Sequence, residues 1–267
     1  MPVCAVNDLQ MYFEHHASVS SHDVPVLLLS GMASDSASWQ PVVSALNEHF
    51  ELIIPDNRCA GRTLPMPVST SRSLMVDDLI GLLDALEVPC VNVVGHSMGG
   101  MLGWALAAKV PHRVQHLISM SAQATTIPAR VALFKTMSSL RTDQCEAQWF
   151  ELLFQFLFSP PFFDNAETLA NAVKTSMAYE HKQSAAAFKA QAQALSTFLD
   201  PIDLSRVTCK VSMLTGSNDL LMTPDLMRAF CNQHGFAYTV IDDGAHALHW
   251  EKTREVAEFI VGQFQAV

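Results

Sequence analysis

The sequence predicts an α/β domain: a mostly parallel central sheet of about eight strands, flanked by helices and interrupted by a helical insertion. Three observations carry that prediction. Short apolar runs of strand length alternate with amphipathic stretches of helical period. The alternation stops between Thr125 and Asp200, where helical periodicity continues without a convincing strand, and then resumes. A glycine-rich turn, Gly95-His96-Ser97-Met98-Gly99-Gly100, sits where a strand should pass into a helix. The chain therefore divides into an α/β core that opens over residues 1–124, a helical insertion over 125–200 and a return to the core over 201–267.

Each element follows from its residues. An early strand is expected over 9–15, after a turn at Asn7-Asp8, and a buried one over 26–29, ending at Ser30-Gly31. Trp39, Val42, Val43 and Leu46 share one helical face, with Pro41 tolerable only near the helix start. Residues 52–54 form a strand closed by Pro55-Asp56, and a helix follows over 74–86, apolar at 75, 79, 82, 83 and 86. A strand at 91–94 leads into a helix over 98–109 that Pro111 stops, and 114–120 is a further strand. Beyond the insertion come a strand at 211–215, a helix at 224–233, a strand at 237–241 and a last helix at 252–264.

Composition excludes several functions. The 267 residues are 49% apolar and 16% charged, which suits a well-buried globular chain rather than a disordered one. A net charge of −10 argues against nucleic-acid binding, which needs clustered Lys and Arg. The apolar-rich stretch 149–158 is broken by Glu151 and Gln155 and falls short of the roughly 20 residues that span a bilayer. The N-terminal residues lack the basic and apolar regions of a signal peptide. Six cysteines stand far apart, at 4, 59, 90, 145, 209 and 231, with no C-x-x-C pair and no zinc spacing. Buried thiols in a cytoplasmic protein are the expectation, with no metal and no organic cofactor.

Chemistry points to Gly95-His96-Ser97-Met98-Gly99, a G-x-S-x-G pentapeptide. With 11 Gly and 23 Ser in the chain, chance supplies roughly 0.04 such matches. The pattern places a serine on a tight strand-to-helix turn, hydroxyl exposed at the carboxyl edge of the sheet. A serine hydroxyl becomes nucleophilic when a base takes its proton, and the base needs an orienting acid, here in the chain order Ser, Asp, His. Asp219 follows the strand at 211–215 and His246 the strand at 237–241, so both can reach the edge that carries Ser97. His249 competes as base, but the loop Gly244-Ala245-His246 better fits a strand end. Asp225 is explained by its place at a helix start, and Asp242 and Asp243 are adjacent to the histidine only along the chain. His96 reads as structural. Two N–H groups should receive the developing oxyanion: Met98, directly after the serine, and Met32, in the turn Ser30-Gly31-Met32-Ala33.

These marks together resemble the α/β-hydrolase superfamily over essentially the whole chain, and within it the small, single-cap enol-lactone, aminoacrylate and non-haem peroxidase-like hydrolases. Asp56-Asn57-Arg58-Cys59-Ala60-Gly61-Arg62-Thr63 is similar to the family's D-x-R-G-x-G-x-S segment, with Cys59 replacing a glycine and Thr63 a serine. Ser30-Gly31 stands where the family usually has His-Gly. The resemblance implies that 125–200 is a helical cap.

Nine apolar residues, from Phe150 to Phe163, are expected to pack that cap rather than roof a pocket. Arg130, Lys135 and Arg141 could meet a substrate carboxylate but are expected on a solvated face. The expected activity is serine hydrolysis of a small-molecule acyl substrate (ester, thioester or lactone) through an acyl-enzyme on Ser97. An acyltransferase with the same triad, a slow-turnover receptor on the same scaffold and cofactor-free oxygen chemistry are the alternatives. Oligomeric state and natural substrate are not encoded legibly.

Overall fold

A computed structural model describes residues 2–18, 24–66, 68–142 and 144–265, and the other positions of the three predicted segments lie outside it. Among the described residues one sheet of eight strands runs in the order β1-β2-β4-β3-β5-β6-β7-β8. Its members are β1 (Val3–Val6), β2 (Leu9–His16), β3 (Val26–Leu29), β4 (Leu52–Pro55), β5 (Val91–His96), β6 (Val114–Met120), β7 (Lys210–Gly216) and β8 (Ala237–Ile241). The pairs β1/β2 and β2/β4 are antiparallel, and every later pair is parallel. The ends of β3, β5, β7 and β8 therefore open on one edge, where ligands of such sheets bind.

Strand alternation sorts the core into two layers, because successive side chains face opposite ways. Leu27, Leu29, Val93, Leu117 and Met213 join one cluster, beneath α2 (Arg72–Ala85), α3 (Met98–Lys109) and α8 (Pro224–His234). Val26, Leu28, Val94, Ile118 and Leu214 join the other, against α1 (Gln40–Asn47) and α10 (Thr253–Gln265). Ser71 begins α2 by accepting the N–H of Leu74, and Gly235, left-handed at φ 76°, ends α8.

Between β6 and β7 stand α4 (Pro128–Leu140), α5 (Glu146–Leu157), α6 (Ala166–Ala178) and α7 (Ala185–Ala194). They enclose an apolar cluster of their own around Trp149, Phe150, Phe154 and Phe188. Two elements were not expected. β1 is a four-residue edge strand, and Asn7-Asp8 is the hairpin turn joining it to β2, with Asn7 at φ 53°. The short α9 (Leu248–Glu251) lies directly after the His246 loop. Arg141 corrects an expectation: it is buried, not solvated. Its guanidinium lies 4.1 Å over the Trp149 ring and donates to the Gln183 carbonyl. Burial lowers its pKa to about 10. Lys135 is exposed as expected.

Candidate active site

Ser97 stands between the end of β5 and the start of α3 with φ 54° and ψ −120°, a left-handed placement that costs an L residue on the order of 1 kcal/mol. Its neighbours make the turn possible. A Cβ on Gly95 would lie 2.3 Å from the Gly99 carbonyl oxygen, and one on Gly99 would lie 2.1 Å from that of Leu29. Only glycine admits such close backbone approach. The Ser97 N–H donates to the Met120 carbonyl on β6 at 2.9 Å, fixing the turn to the neighbouring strand.

The serine, histidine and aspartate singled out in the sequence meet at this edge. His246 Nε2 lies 2.9 Å from Ser97 Oγ, and its Nδ1 lies 3.0 and 2.9 Å from the two carboxylate oxygens of Asp219. Asp219 and His246 are both buried. Backbone N–H groups of Leu221 and Met222 each donate to Asp219 Oδ1 at 2.8 Å, so the carboxylate is aimed before it meets the imidazole. The carboxylate–imidazole–hydroxyl order lets the ring take a proton from the serine while the acid holds its tautomer.

Met32 and Met98 line the same pocket as Ser97 and His246. Met98 opens α3, so its N–H belongs to the first-turn donors that have no intrahelical acceptor. Ser30 holds the turn before Met32: its hydroxyl donates to the Asp35 carbonyl at 2.8 Å, and its own carbonyl accepts from Asn57 Nδ2 at 3.1 Å. Thus Ser30 braces the loop at the position of the unusual His-to-Ser replacement. The pocket, of about 50 Å³, is walled by methionines, leucines and Phe134 together with polar groups that include Gln123, Thr125 and Thr126. None of the nine apolar residues between Phe150 and Phe163 lines it. Ile127, Arg130, Phe134 and Leu195 supply the wall on that side instead.

His96 and His249 form no hydrogen bond with the Ser97 hydroxyl among the described residues but pack at tilted angles behind His246. The ring of His96 lies 4.9 Å from that of His246 and 4.7 Å from that of His249, which in turn lies 4.9 Å from Trp39. His96 Nε2 donates to the His246 carbonyl at 2.8 Å. Burial holds both rings neutral, pushing His96 well below the usual histidine range and His249 down to about 3. Asp225 is exposed and pairs with Arg228 on α8, while Asp242 and Asp243 form no hydrogen bond or ion pair with the His246 side chain among the described residues.

Other partners left no mark in the sequence. Glu251 accepts the N–H of Ala245 at 2.8 Å and both the N–H and hydroxyl of Ser159, at 2.8 and 2.7 Å. It thereby joins the His246 loop to the end of α5, where the Ala247 N–H also meets the Leu157 carbonyl. The segment 56–63 performs a similar service. Arg58 is buried against Asp78 and Asp8. The carbonyls of Arg58 and Cys59 accept from Gln191 and Gln183 of the helical segment, at 2.8 and 2.6 Å. Cys59 holds φ 64° in place of the family's glycine, its thiol 3.2 Å from the Val68 carbonyl. Among the described residues, no group of three or more His, Cys, Asp or Glu is placed to hold a metal, and no helix is long and apolar enough to cross a membrane.

Comparison with known proteins follows the same line. A family model described as the alpha/beta hydrolase fold matches residues 24–253. Relatives named carbamate hydrolase RutD include that of Agrobacterium fabrum strain C58, 32% identical over 119 residues, which are 44% of this chain and 46% of the relative. The match to the first of these thus spans under half the relative's length. The RutD of Caulobacter sp. strain K31 is 29% identical over 79% of both chains. Among solved structures, an enol-lactonase from Burkholderia xenovorans LB400 superposes with a TM-score of 0.84 at 20% identity, over 99% of this chain and 100% of that one. A thermophilic esterase from Thermogutta terrifontis gives 0.83 at 23%, over 97% and 94%. At those identities the likeness is one of fold.

Proposed function

The chain belongs to the alpha/beta hydrolase family, and from that premise we propose that it is a serine hydrolase of small carboxylic esters, thioesters or lactones. The observation that carries the reading is the 2.9 Å contact between Ser97 Oγ and His246 Nε2, backed by Asp219 on the far nitrogen. Ser97 Oγ attacks the acyl carbonyl while His246 takes its proton, and the oxyanion forms against the N–H groups of Met98 and Met32. Collapse of that intermediate breaks the acyl–leaving-group bond, and His246 returns the proton to the leaving alcohol, thiol or enol. Water, deprotonated by the same imidazole, then attacks the acyl-enzyme and releases the acid and Ser97. Asp219 holds the histidine tautomer throughout. The helical segment 125–200 serves as the cap of this site.

The names of the RutD relatives favour adding carbamates to the substrate panel, since the same attack applies to a carbamoyl carbonyl. An acceptor other than water would make the protein an acyltransferase, and the ratio of acid to transferred product with and without added alcohol or thiol separates the two. The test of the central reading is intact mass spectrometry of wild type and Ser97→Ala after treatment with a fluorophosphonate. One adduct on wild type and none on the variant is expected. A folded wild type that takes no adduct overturns the reading.

A further inference from the structure

Among the described residues, Arg130 is the only Lys, Arg, Asp or Glu lining the pocket that holds Ser97 and His246. Its guanidinium forms no ion pair with any described residue. It is nevertheless held in place. Nε donates to the Leu221 carbonyl at 3.0 Å and Nη2 to the Leu220 carbonyl at 2.8 Å, in the turn whose N–H groups secure Asp219. A guanidinium has five N–H donors in a rigid plane. These two bonds fix that plane and leave the Nη1 donors without a described acceptor. The wall beside it is mixed: Ile127, Phe134, Leu195, Leu221 and Leu226 share it with the uncharged polar side chains of Gln123, Thr125 and Thr126. Arg130 is half-buried, and the other pocket-lining residues carry no carboxylate to pair with its charge. The chain's net charge of −10 repels anions at a distance, so a lone cation inside the pocket acts locally.

We propose that Arg130 is a specificity-determining residue that binds a free carboxylate on the substrate, making the preferred substrates small monoanionic esters or lactones. Planar carboxylate recognition by an oriented guanidinium is strong and geometrically selective. The carboxylate supplies the charge the pocket lacks, and the apolar wall takes the intervening methylenes. This inference rests on the hydrolase reading only for the carbonyl that is presented to Ser97.

The test needs no turnover. Monomethyl succinate and monomethyl glutarate, each against its dimethyl ester, are titrated by NMR into Ser97→Ala and into Ser97→Ala with Arg130→Gln. The monoesters are expected to bind Ser97→Ala at least about tenfold more tightly than the diesters, in keeping with a charge-assisted contact. Arg130→Gln should reduce that preference to within about twofold while leaving diester binding unchanged. Equal binding of both ester types to Ser97→Ala overturns the proposal, as does a preference that survives Arg130→Gln. A parallel loss of monoester and diester binding would make Arg130 a brace for the 220–221 turn and nothing more. Should Arg130→Gln not fold, Arg130→Lys carries the test: it must weaken the monoesters several-fold and spare the diesters, and any other result overturns the assignment. Fluorophosphonate labelling of wild type judges the hydrolase reading separately, so either can fail alone.

Discussion

The sheet and the helical segment between β6 and β7 are held by different balances of apolar burial and polar contact. All four residues of β3 are fully buried, as are Val93, Val94, Leu117 and Ile118 at the centre of the sheet. By contrast α4 buries only Val131 and Met137, and α6 only Val173. The segment has an apolar cluster of its own; Val131, Leu195 and Phe198 also join the sheet's core, and polar contacts add to that attachment. Tyr179 donates to Asp35 at 2.9 Å, Gln183 and Gln191 reach the carbonyls of 58 and 59, and Glu251 clasps Ser159. Apolar burial is strong but non-directional, whereas hydrogen bonds set position at a net gain of only about 1 kcal/mol each. The candidate site lies on that boundary, with Ser97, Asp219 and His246 at the sheet edge and some of its wall on the segment.

Substitutions can separate the two halves. The largest effect is expected from Asp219→Asn, which should lower kcat about 10⁴-fold through the wrong histidine tautomer and leave the helical segment docked; steady-state kinetics with a circular-dichroism melt would check both. Near-full activity would remove Asp219 from the mechanism. Arg58→Ala strands the buried carboxylate of Asp78 and should cost about 3–5 kcal/mol in chemical denaturation, loosening the loop on which Gln183 and Gln191 rest.

A third test uses pH. Burial, followed by the charge of Asp56, pushes Asp35 up to about 6 from its ordinary 3.8. Between those values the folded protein binds more protons at this site than the unfolded chain, so its contribution to stability falls as pH rises from about 4 to 6. Asp35→Asn should remove that slope, which is on the order of 3 kcal/mol in total. Parallel stability–pH curves for wild type and variant would refute the coupling. The smallest effect belongs to Tyr179→Phe: about 1 kcal/mol, seen as faster hydrogen exchange in the helical segment with β5 and β6 unchanged.

The sheet was the readable half. Strands β3, β6 and β8 and helix α3 have the bounds expected from their apolar runs and their Gly and Pro punctuation, because strand burial writes itself into neighbouring residues. The positions meeting at the Ser97 edge were legible for a related reason: each follows a strand in a recognisable turn. β1 was missed because four residues at an edge, Val3, Cys4, Ala5 and Val6, carry too little period to register. Glu251, Gln183 and Arg141 were missed or misplaced because their partners lie far away in sequence. A carboxylate that joins residues 159 and 245 looks, in sequence, like any glutamate in a short helix.

One arrangement behind the reacting edge limits what a proton can do there. Three imidazoles, those of His246, His96 and His249, are packed side by side at tilted angles, with His96 in the middle and neighbouring ring centres under 5 Å apart, and burial pushes His96 and His249 below the usual histidine range. In the proposed reaction the proton lifted from Ser97 is therefore stranded on a single ring. Relay inward through the two buried rings is disfavoured, and its remaining route is outward, onto the departing group. The two buried histidines work as insulation, and neither should leave a step of its own in a rate–pH profile.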